Sequence, residues 1–405
     1  MRSKVLNTSL QDADTYEYLV VGAGPAGLAF ASTIKSKRVL VIDLGKPVSE
    51  RDRFHSEDCV QGAGGAGLFS DGKFSFYPAG TEIWKGNLDR LQAGYKALER
   101  DLNPYGEMPR FPEITTNNKC LLDKSGWQLK PYPSLYLSLE DRMDLITKLA
   151  NRCPRILYET EFLHEQETED GFVVKLKNRS TGQHFYVKTH KLVLAGGRFM
   201  PLFFKSRKRF RRYEFGFRIA GPSHHFKKEV ILNDPKYIFF QPDVEYRTFC
   251  WCDRGEVVKT SFKGIESFSG RSDCSPTEFS NFGFNIRVKN SLLLAESDFR
   301  KLMKIAPFEI SLRHFVNNLQ NYYPAKAAAL IDYGLSRLLE RFSGLKNDSV
   351  NVIGPTIEGV GDYPAVDENF RLEGSDNVSV IGDSGGSYRG IIPSMLSGYC
   401  LAHSF

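Results

Sequence analysis

The feature that most constrains the fold is an apolar run leading into a glycine-rich turn, at Tyr18–Phe30. The run predicts a buried parallel strand, the turn has the spacing GxGxxG, and a helix is expected to start directly after it. In this arrangement Gly22 allows the tight turn, Gly24 lets the backbone approach a pyrophosphate, and Gly27 lets helix and strand pack closely. The sequence therefore predicts a dinucleotide-binding unit of an α/β protein.

Phosphate binding in such a unit depends on the helix start and on an acidic residue about 20 residues further on. The first N–H groups of the helix, around Ala26, have no partner in the helix, and the helix dipole favours negative charge there. Asp43 closes the next apolar run, where its carboxylate can accept the hydroxyls of an adenosine ribose. The alternative is a glycine-rich turn in some other α/β protein; strand, helix and acid in register favour the dinucleotide.

A second motif lies near the C-terminus, at Val378–Gly398. A short apolar strand is expected to end at Gly382-Asp383, and a helix is expected to begin just after Arg389-Gly390. The motif resembles the distal FAD motif of the glutathione-reductase-like flavoproteins. That resemblance implies that Asp383 binds the ribityl chain and that the helix starting at Gly390-Ile391 points at the flavin pyrimidine edge, where a positive helix end stabilises the anionic reduced flavin. Together the two motifs predict FAD as the cofactor.

Composition agrees with a cytoplasmic enzyme. The 405 residues are 41% apolar and 25% charged, enough for two cores. No apolar stretch approaches the length of a membrane span, and the polar segment Met1–Asp14 lacks the apolar core of a signal peptide. Seven cysteines without regular spacing argue against a disulfide scaffold and for a reducing compartment. A net charge of +6 suits an anionic cofactor and substrate, and by itself is too weak to indicate nucleic acid.

The predicted elements give two interleaved domains. An FAD-binding domain covers residues 16–199 and 351–405. A substrate domain covers residues 200–350, where aromatic residues and alternating β patterns become frequent, with one helical stretch at about 308–342. In the first domain, Ser138-Leu-Glu-Asp141 has the pattern of a capping box and predicts a helix that runs to about residue 152.

The apolar run that ends in Ala195-Gly196-Gly197 resembles the ATG element of the same flavoprotein class, where the chain returns to the FAD domain. The expected fold is therefore α/β: a glutathione-reductase-like FAD-binding Rossmann domain with an inserted mixed or antiparallel β-sheet substrate domain.

A third glycine-rich segment, Cys59–Lys73, contains Gly64 and Gly65 and ends in Ser-Asp-Gly-Lys. Its glycines let backbone N–H groups approach a ligand without Cβ clashes, so both are candidate cofactor contacts. A flexible loop is the alternative, which the polar ending makes less attractive.

Four segments, in order, resemble the uncharacterised FAD-dependent dehydrogenases of bacteria: Val60–Lys73, Gly216–Ile219, Arg247–Val258 and Gly382–Ile391. The resemblance extends from about Tyr16 to the end of the chain. The sequence departs from the family pattern at Asp253-Arg254, where the family has Pro-Gly, and at Ala220, where it has Glu; the family's additional N-terminal domain also has no match. These departures imply that substrate specificity differs.

Three side chains are candidates for chemistry. Lys73 and Asp71 end the loop that runs beside the cofactor in related flavoproteins. A lysine there can hold anionic charge or contact the flavin N5 edge, and burial could lower its pKa. Arg389 at the distal helix start would favour reduced flavin. A phosphate contact or surface salt bridge for Lys73, and a structural ion pair for Arg389, are the alternatives.

Cys250 and Cys252 are expected at alternate positions of one strand, with both thiols on the same side. A redox pair or part of a zinc site is conceivable, but no second Cys or His pair completes four zinc ligands and no metal site is predicted. We favour two half-buried small residues. The basic run Lys205–Arg212 is interpreted mainly as a solvated segment, with a funnel for an anionic substrate or NADPH and an RNA-binding edge as alternatives.

The predicted function is an FAD-dependent oxidoreductase of the dehydrogenase type that exchanges hydride between flavin and a small, anionic or neutral, organic substrate. The pocket is expected between the FAD domain and residues 200–350, near Tyr388-Arg389. No second complete GxGxxG occurs, so electrons are expected from the substrate, a partner protein or transiently bound NAD(P)H. A flavin monooxygenase that consumes NAD(P)H, an FAD-dependent RNA-modifying protein, and a flavin-holding scaffold without turnover remain alternatives.

Overall fold

The computed structural model describes residues 13–114, 121–122, 125–226 and 234–405, with only the backbone given at 121–122. No signal peptide is predicted for the segment Met1–Asp14. Residues 1–12 of that segment lie outside the described residues. Strands and helices are numbered in chain order.

The strands in the described part are β1 Thr15–Val21, β2 Val39–Ile42, β3 Lys73–Ser75, β4 Leu121–Leu122, β5 Trp127–Leu129, β6 Ser134–Tyr136, β7 Ile156–Leu157, β8 Thr160–Thr168, β9 Gly171–Asn178, β10 His184–Leu194, β11 Lys208–Pro222, β12 Tyr237–Gln241, β13 Val244–Cys252, β14 Glu256–Phe262, β15 Ile265–Arg271, β16 Phe279–Val288, β17 Phe308–Ser311, β18 Asn351–Pro364 and β19 Val378–Val380. The helices are α1 Pro25–Ala31, α2 Gly65–Leu68, α3 Leu88–Leu102, α4 Leu139–Arg152, α5 Glu296–Leu302, α6 Leu312–Asn317, α7 Ala325–Arg341 and α8 Ile391–Ala402.

The first sheet has the order β7-β2-β1-β10-β9-β8, and β19 also pairs with β10. β7, β2, β1, β10 and β19 run parallel, whereas β10, β9 and β8 are antiparallel. In the parallel part Val21 is level with Ile42 and with Leu194, and Leu194 is level with Val380. The residues that follow these four strand ends therefore meet at one edge of the sheet, which is where ligands bind in open α/β sheets.

Helices α1, α3, α4 and α8 cover one face of the first sheet and share an apolar core with it. The closest helix pair is α1 and α8, and the contact depends on Gly398. A Cβ at Gly398 would lie 2.9 Å from the backbone nitrogen of Phe30 and 3.0 Å from the Cβ of Ala29. A bare backbone at this position thus lets the two helices lie side by side, with both N-termini directed to the same edge of the sheet.

The second sheet is antiparallel throughout, in the order β17-β18-β11-β16-β13-β12-β5-β4. Alternate residues of these strands pack against α5, α6 and α7 in a separate aromatic-rich core. The hairpin of β14 and β15 stands beside this sheet and faces the first one. The expectation of an α/β fold with an inserted mixed or antiparallel sheet is confirmed, while the glutathione-reductase-like assignment stays a prediction.

Two expectations about domain boundaries differ from the structure. Residues 351–364 were expected in the FAD-binding domain, yet they form β18 and pair with β11 and β17 in the second sheet. Trp127–Leu129, also expected in the first domain, forms β5 of the second sheet. Strand pairing is set by partners far away in sequence, so a change in local composition does not mark where the chain crosses between sheets.

Predictions about single helices agree with the structure better than those about domain boundaries. The Ser138 side chain accepts a hydrogen bond from the backbone N–H of Asp141 at 3.0 Å, so the helix start at Ser138 and the helix to Arg152 are confirmed. The helical stretch at 308–342 is interrupted: residues 308–311 pair with β18, and Pro324 precedes a new helix, α7. Proline cannot continue a helix without losing a backbone hydrogen bond, so the stretch divides there.

None of the helices described is long and apolar enough to cross a membrane.

Candidate functional site

A cavity of about 480 Å³ lies between the carboxyl edge of the first sheet and the β14–β15 hairpin. Of the residues that the sequence predicts for the site, every one lines this cavity except Gly27 and Gly64. The lining residues among them are Gly22, Gly24, Ala26, Asp43, Gly65, Asp71, Lys73, Gly196, Gly382, Asp383, Arg389, Gly390 and Ile391. Segments from both ends of the chain and from its middle thus meet at one place.

The first glycine-rich turn has the geometry that its sequence predicts. Gly22 has φ +112°, which side chains rarely adopt, and a Cβ there would lie 2.5 Å from the carbonyl oxygen of Ala195. A Cβ at Gly24 would meet nothing within 4 Å, so the missing side chain is not required for close packing. It leaves open space in the cavity instead. A Cβ at Gly27 would collide with the carbonyl oxygen of Gly22. The open space at Gly24 fits a ligand that approaches the backbone closely.

Asp43 is positioned by three backbone N–H groups. Its Oδ2 accepts from Ala23 at 2.7 Å, and its Oδ1 accepts from Gly45 at 2.8 Å and from Gly62 at 2.7 Å. The carboxylate thereby ties the first glycine turn to the third glycine-rich segment. A carboxylate has about four acceptor positions, so Asp43 keeps capacity for a hydroxyl from the cavity. The predicted ribose contact stays a prediction.

The third glycine-rich segment folds over the first turn. Gly64 and Gly65 have φ +81° and +53°, and the Gly64 N–H donates to the carbonyl oxygen of Ala23 at 2.8 Å. Arg51 stabilises this segment, since its guanidinium donates to the carbonyl oxygens of Asp58 at 3.0 Å and Gly65 at 2.9 Å. This residue was not predicted from the sequence. No motif marks Arg51, because its hydrogen-bond acceptors among the described residues are backbone carbonyls, which any residue can supply.

The distal motif presents a helix start and a carboxylate to the cavity. Gly390 precedes α8 with φ +105° and, like Gly24 before α1, offers no side chain that could cap the helix. Oδ2 of Asp383 accepts from Nε of Arg389 at 2.9 Å, whereas its Oδ1 is buried and has no hydrogen-bond partner among the described residues. A buried carboxylate oxygen without a donor is costly, so it suits a hydroxyl donor supplied by a ligand.

Arg389 belongs to an ion-pair cluster. Besides Asp383, its Nη1 lies 3.3 Å from Glu214 and 3.2 Å from Glu358. Burial alone would lower the pKa of Arg389, but these three carboxylates outweigh burial and raise it. With its charge balanced by protein groups, Arg389 fits the structural ion pair that was the alternative interpretation, although its side chain lines the cavity.

Glu214 is the centre of that cluster and was missed by sequence reasoning. Besides Arg389 it lies within 3.8 Å of the guanidiniums of Arg212, Arg247 and Arg287. Burial alone would raise the pKa of Glu214, but the arginines hold it well below its usual range. These partners come from β11, β13, β16 and the start of α8, so no local sequence pattern connects them.

Lys73 is paired, and its pKa moves opposite to the prediction. Its Nζ donates to Oδ2 of Asp234 at 2.7 Å and lies 4.6 Å from the ring centre of Tyr132. Burial alone would lower the pKa of Lys73, but the charge and hydrogen bond of Asp234, together with the nearby Tyr132 and Tyr136, outweigh burial and raise it. The expected lowering is therefore wrong, because no sequence pattern indicates that Asp234 lies in the same cavity.

Asp71 lies near the same pair. Burial, together with the negative charge of Asp234, raises the pKa of Asp71, while the backbone N–H and the ammonium of Lys73 lower it by less. A carboxylate with a raised pKa is a better proton acceptor at neutral pH than an ordinary one.

Cys250 and Cys252 do not lie on a regular strand. β13 has a bulge between Phe249 and Cys252, and Cys250 has φ +48°. The two sulfurs are 3.7 Å apart, both thiols are free, and Cys250 lines the cavity. The interpretation of Cys250 and Cys252 as two half-buried small residues does not account for the bulge in β13.

An aromatic wall closes the cavity on the side of the second sheet and was also missed. Phe199 and Phe262 stack with ring centres 5.3 Å apart, and Phe69, Phe203 and Phe268 line the same region. In sequence these side chains are indistinguishable from core residues of alternating strands.

The basic run Lys205–Arg212 is largely neutralised at one end. Arg209 pairs with Glu373 at 2.6 Å, and Arg212 pairs with Glu214 at 3.1 Å. Arg207 and Arg209 are mostly exposed, with 74% and 63% of each side chain accessible. The run is therefore a solvated segment whose charge is partly balanced locally, which is the interpretation favoured from sequence.

Comparison with known proteins adds little. No protein-family model and no curated protein matches the sequence. Among solved structures, the chain is similar to CtdE in complex with FAD and substrate 4, at 11% identity and a TM-score of 0.39, over 96% of this chain and 80% of that one.

Two further solved structures show likeness of the same order. A flavoprotein/dehydrogenase from Cytophaga hutchinsonii is similar at 13% identity and a TM-score of 0.41, over 95% of this chain and 76% of that one. The substrate-free form of the rebeccamycin biosynthetic enzyme REBC is similar at 10% identity and a TM-score of 0.40, and the chain spans 64% of its length and 97% of its own. Likenesses this low assign neither a family nor a function to the chain.

Proposed function

We propose that this chain is an FAD-dependent oxidoreductase of the dehydrogenase type, with a glutathione-reductase-like arrangement of the cofactor domain. One observation carries the proposal: the bare Gly24 before α1 and the uncapped Gly390 before α8 open into the same cavity, although 366 residues separate them. Two helix N-termini at one cavity favour a ligand with separated electron-rich parts, such as a pyrophosphate and a flavin ring.

The remaining contacts support FAD over a smaller nucleotide. Asp43 keeps an acceptor position at the end of β2, where a ribose would lie, and Asp383 offers its unpartnered Oδ1 just after β19. A ligand reaching both would extend past the carboxyl ends of β2, β1, β10 and β19. FAD, which has an adenosine ribose and a ribityl chain, has hydroxyls for both ends.

The chain's own residues would bind and orient, and bound FAD would supply the hydride chemistry. The aromatic wall of Phe199 and Phe262 excludes water from the region where a substrate would lie. In that part of the cavity, the positive charge of Lys73 is balanced by the carboxylate of Asp234. Asp71, with its raised pKa, is the group best placed to accept a proton from a substrate.

The substrate is proposed to be a small organic molecule, and the protein is proposed to act in the cytoplasm. Because the positive charges of Lys73 and Arg389 are both balanced by carboxylates, the cavity does not require an anionic substrate. Electrons would come from the substrate, from a partner protein or from transient NAD(P)H, and RNA is not proposed as a partner.

The test is anaerobic bleaching of the visible flavin band in the purified protein. NADH, NADPH and a panel of amino, hydroxy and unsaturated acids are added separately. Bleaching by one of the acids supports a dehydrogenase, and slow reoxidation in air distinguishes it from an oxidase. Bleaching by NADPH alone, with a substrate-dependent oxygen uptake, would instead indicate a monooxygenase. A flavin that none of these donors bleaches would contradict a dehydrogenase acting on these acids and would favour a partner-fed enzyme or a scaffold.

A further inference from the structure

Two thiols lie in contact in the wall of the candidate cofactor cavity. The sulfurs of Cys250 and Cys252 are 3.7 Å apart, and Cys250 lines the cavity while Cys252 is fully buried behind it. On a regular strand, alternate residues repeat at about 6.6 Å, so their sulfurs do not ordinarily touch. Something in the backbone brings this pair together.

The cause is the bulge in β13. Phe249 is level with Gly283 of β16, and Cys252 is level with Asn281, so three steps along β13 oppose two along β16. Cys250 takes the left-handed conformation at φ +48°, which is unfavourable for a residue with a side chain. Bulges next to sites re-aim side chains, and strained residues cluster where function needs them.

Neighbouring glycines make room for the two sulfurs. A Cβ at Gly270 would lie 2.6 Å from Sγ of Cys252, and a Cβ at Gly255 would lie 2.9 Å from its Cβ. Both glycines belong to the hairpin region that faces the cavity. The bulge and the missing side chains together create a place for two thiols in contact.

The two sulfurs have opposite electrostatic surroundings. Nη2 of Arg218 lies 3.9 Å from Sγ of Cys252, and Arg218 is fully buried. In the described part of the chain its polar contacts are neutral, namely the side-chain oxygen of Asn281, the carbonyl oxygen of Cys250 and the Cys252 thiol, and its Nη1 has no partner there. The buried positive charge beside Cys252 is therefore not paired with a carboxylate among the described residues.

The other sulfur faces a proton acceptor. The Cys250 thiol lies 3.8 Å from Oδ2 of Asp71, the carboxylate whose pKa is raised by burial and by Asp234. The hydrogen bond with Cys252, then burial and nearby negative charge, raise the pKa of Cys250 itself. One thiol therefore has a cation beside it, and the other has a base.

On the basis of the proposed function, we propose that Cys250 and Cys252 are a redox-active dithiol that exchanges two electrons with FAD bound in the cavity. In the oxidative direction both S–H bonds break and one S–S bond forms. The proton of Cys250 passes by way of Asp71, and the two electrons and two protons that the dithiol releases would reduce bound FAD by two electrons. In the reverse direction the S–S bond opens and both sulfurs regain protons.

The experiment is an anaerobic reductive titration of the FAD-loaded protein after oxidation with diamide and its removal. Dithionite is added in steps while the visible flavin band is followed. Wild type is expected to take up twice as many reducing equivalents per flavin as Cys250→Ser or Cys252→Ser. Cys153→Ser, at the end of α4 and outside the cavity, serves as the matched control and should titrate like wild type.

A second readout does not depend on the flavin signal or on the variants. Wild-type samples are acid-quenched before and after the titration, unfolded, alkylated and mapped by mass spectrometry. The peptide that carries Cys250 and Cys252 should be unlabelled in the oxidised sample and doubly labelled in the reduced one. Asp71→Asn should slow closure of the disulfide at neutral pH and shift the pH profile of its rate upward.

Two results would overturn the inference. If FAD is bound and both thiols are labelled in the oxidised sample, the dithiol is not redox-active and the proposed function is untouched. If the protein binds no FAD, the proposed function fails and the electron exchange fails with it. The flavin band separates these two outcomes.

Discussion

Nζ of Lys73 lies 2.7 Å from Oδ2 of Asp234, although 161 residues separate them, and this ion pair is nine-tenths buried in the wall of the cavity. Breaking a buried pair by removing one partner leaves an uncompensated charge and typically costs about 3–5 kcal/mol.

We predict that Lys73→Met lowers the free energy of unfolding by about 3 kcal/mol, because Asp234 is left charged and buried. Adding Asp234→Leu should recover part of the loss. The measurement is a double-mutant cycle by chemical denaturation. The exposed pair Lys85 and Glu82 is the control, where coupling of about 0–1 kcal/mol is expected. Equal coupling in the two cycles would contradict the role given to burial.

The second prediction concerns pH and Glu214. Its pKa in the folded protein lies well below the value of 4.5 expected when unfolded, so its stabilisation is complete above pH 4.5 and is lost as the pH falls through the folded value. Glu214→Gln should be less stable than wild type at neutral pH by about 3–5 kcal/mol, and the difference should shrink in acid.

Thermal and denaturant unfolding between pH 7 and pH 3 measures this difference. Glu296→Gln, which removes an exposed partner of Arg300, is the control and should show about 0–1 kcal/mol at every pH. A Glu214→Gln deficit that stays constant down to pH 3 would contradict a folded pKa below the unfolded one, because protonation of the unfolded state alone should reduce the deficit below pH 4.5.

The third prediction concerns the contact between α1 and α8. Gly398→Ala should destabilise the protein by about 1–3 kcal/mol through overpacking, even though alanine favours helix. Gly94→Ala in α3 is the comparison, because its new Cβ would meet the Sγ of Cys400 at 2.9 Å, a side-chain atom that can move, and it should cost less. Equal costs, measured by denaturant unfolding, would refute the explanation from rigid backbone contact.

The glycine-rich turns show which features of the fold and site can be predicted from the sequence. The glycine turn before α1 and the cap at Ser138 were predicted correctly, because the close approach of Gly27 to Gly22 and the hydrogen bond of Ser138 involve residues a few positions away. The meeting of the two glycine-rich motifs at one cavity was also predicted, since each follows a strand that belongs to a parallel sheet.

What sequence could not supply depends on distant partners. The pKa of Lys73 was predicted in the wrong direction because Asp234 belongs to no motif. Glu214 was overlooked because three of its four arginines, Arg247, Arg287 and Arg389, are distant in sequence. The bulge at Cys250 was missed because register is set by pairing with β16, and nothing in the local pattern marks it.

The fourth prediction concerns the unpartnered oxygen of Asp383. Asp383→Ala should weaken FAD binding by about 10- to 100-fold, the value of one hydrogen bond to a charged group. Titration of flavin-free protein with FAD measures this. Glu358→Gln removes another partner of Arg389 while Asp383 stays, and should leave the affinity within a few-fold of wild type. If both variants weaken binding equally, the cause is Arg389 and not a contact from Asp383.

The most direct test of the central claim is FAD binding by wild type and by Gly24→Val. A Cβ at Gly24 meets nothing within 4 Å and the backbone there has an ordinary φ of −73°, so the substitution should leave the fold and its unfolding temperature unchanged while filling the place of the pyrophosphate. Gly86→Ala, at φ −71° and outside the cavity, is the control. We predict stoichiometric FAD in wild type and Gly86→Ala and none in Gly24→Val. Full binding by Gly24→Val, or none by wild type, would contradict the account.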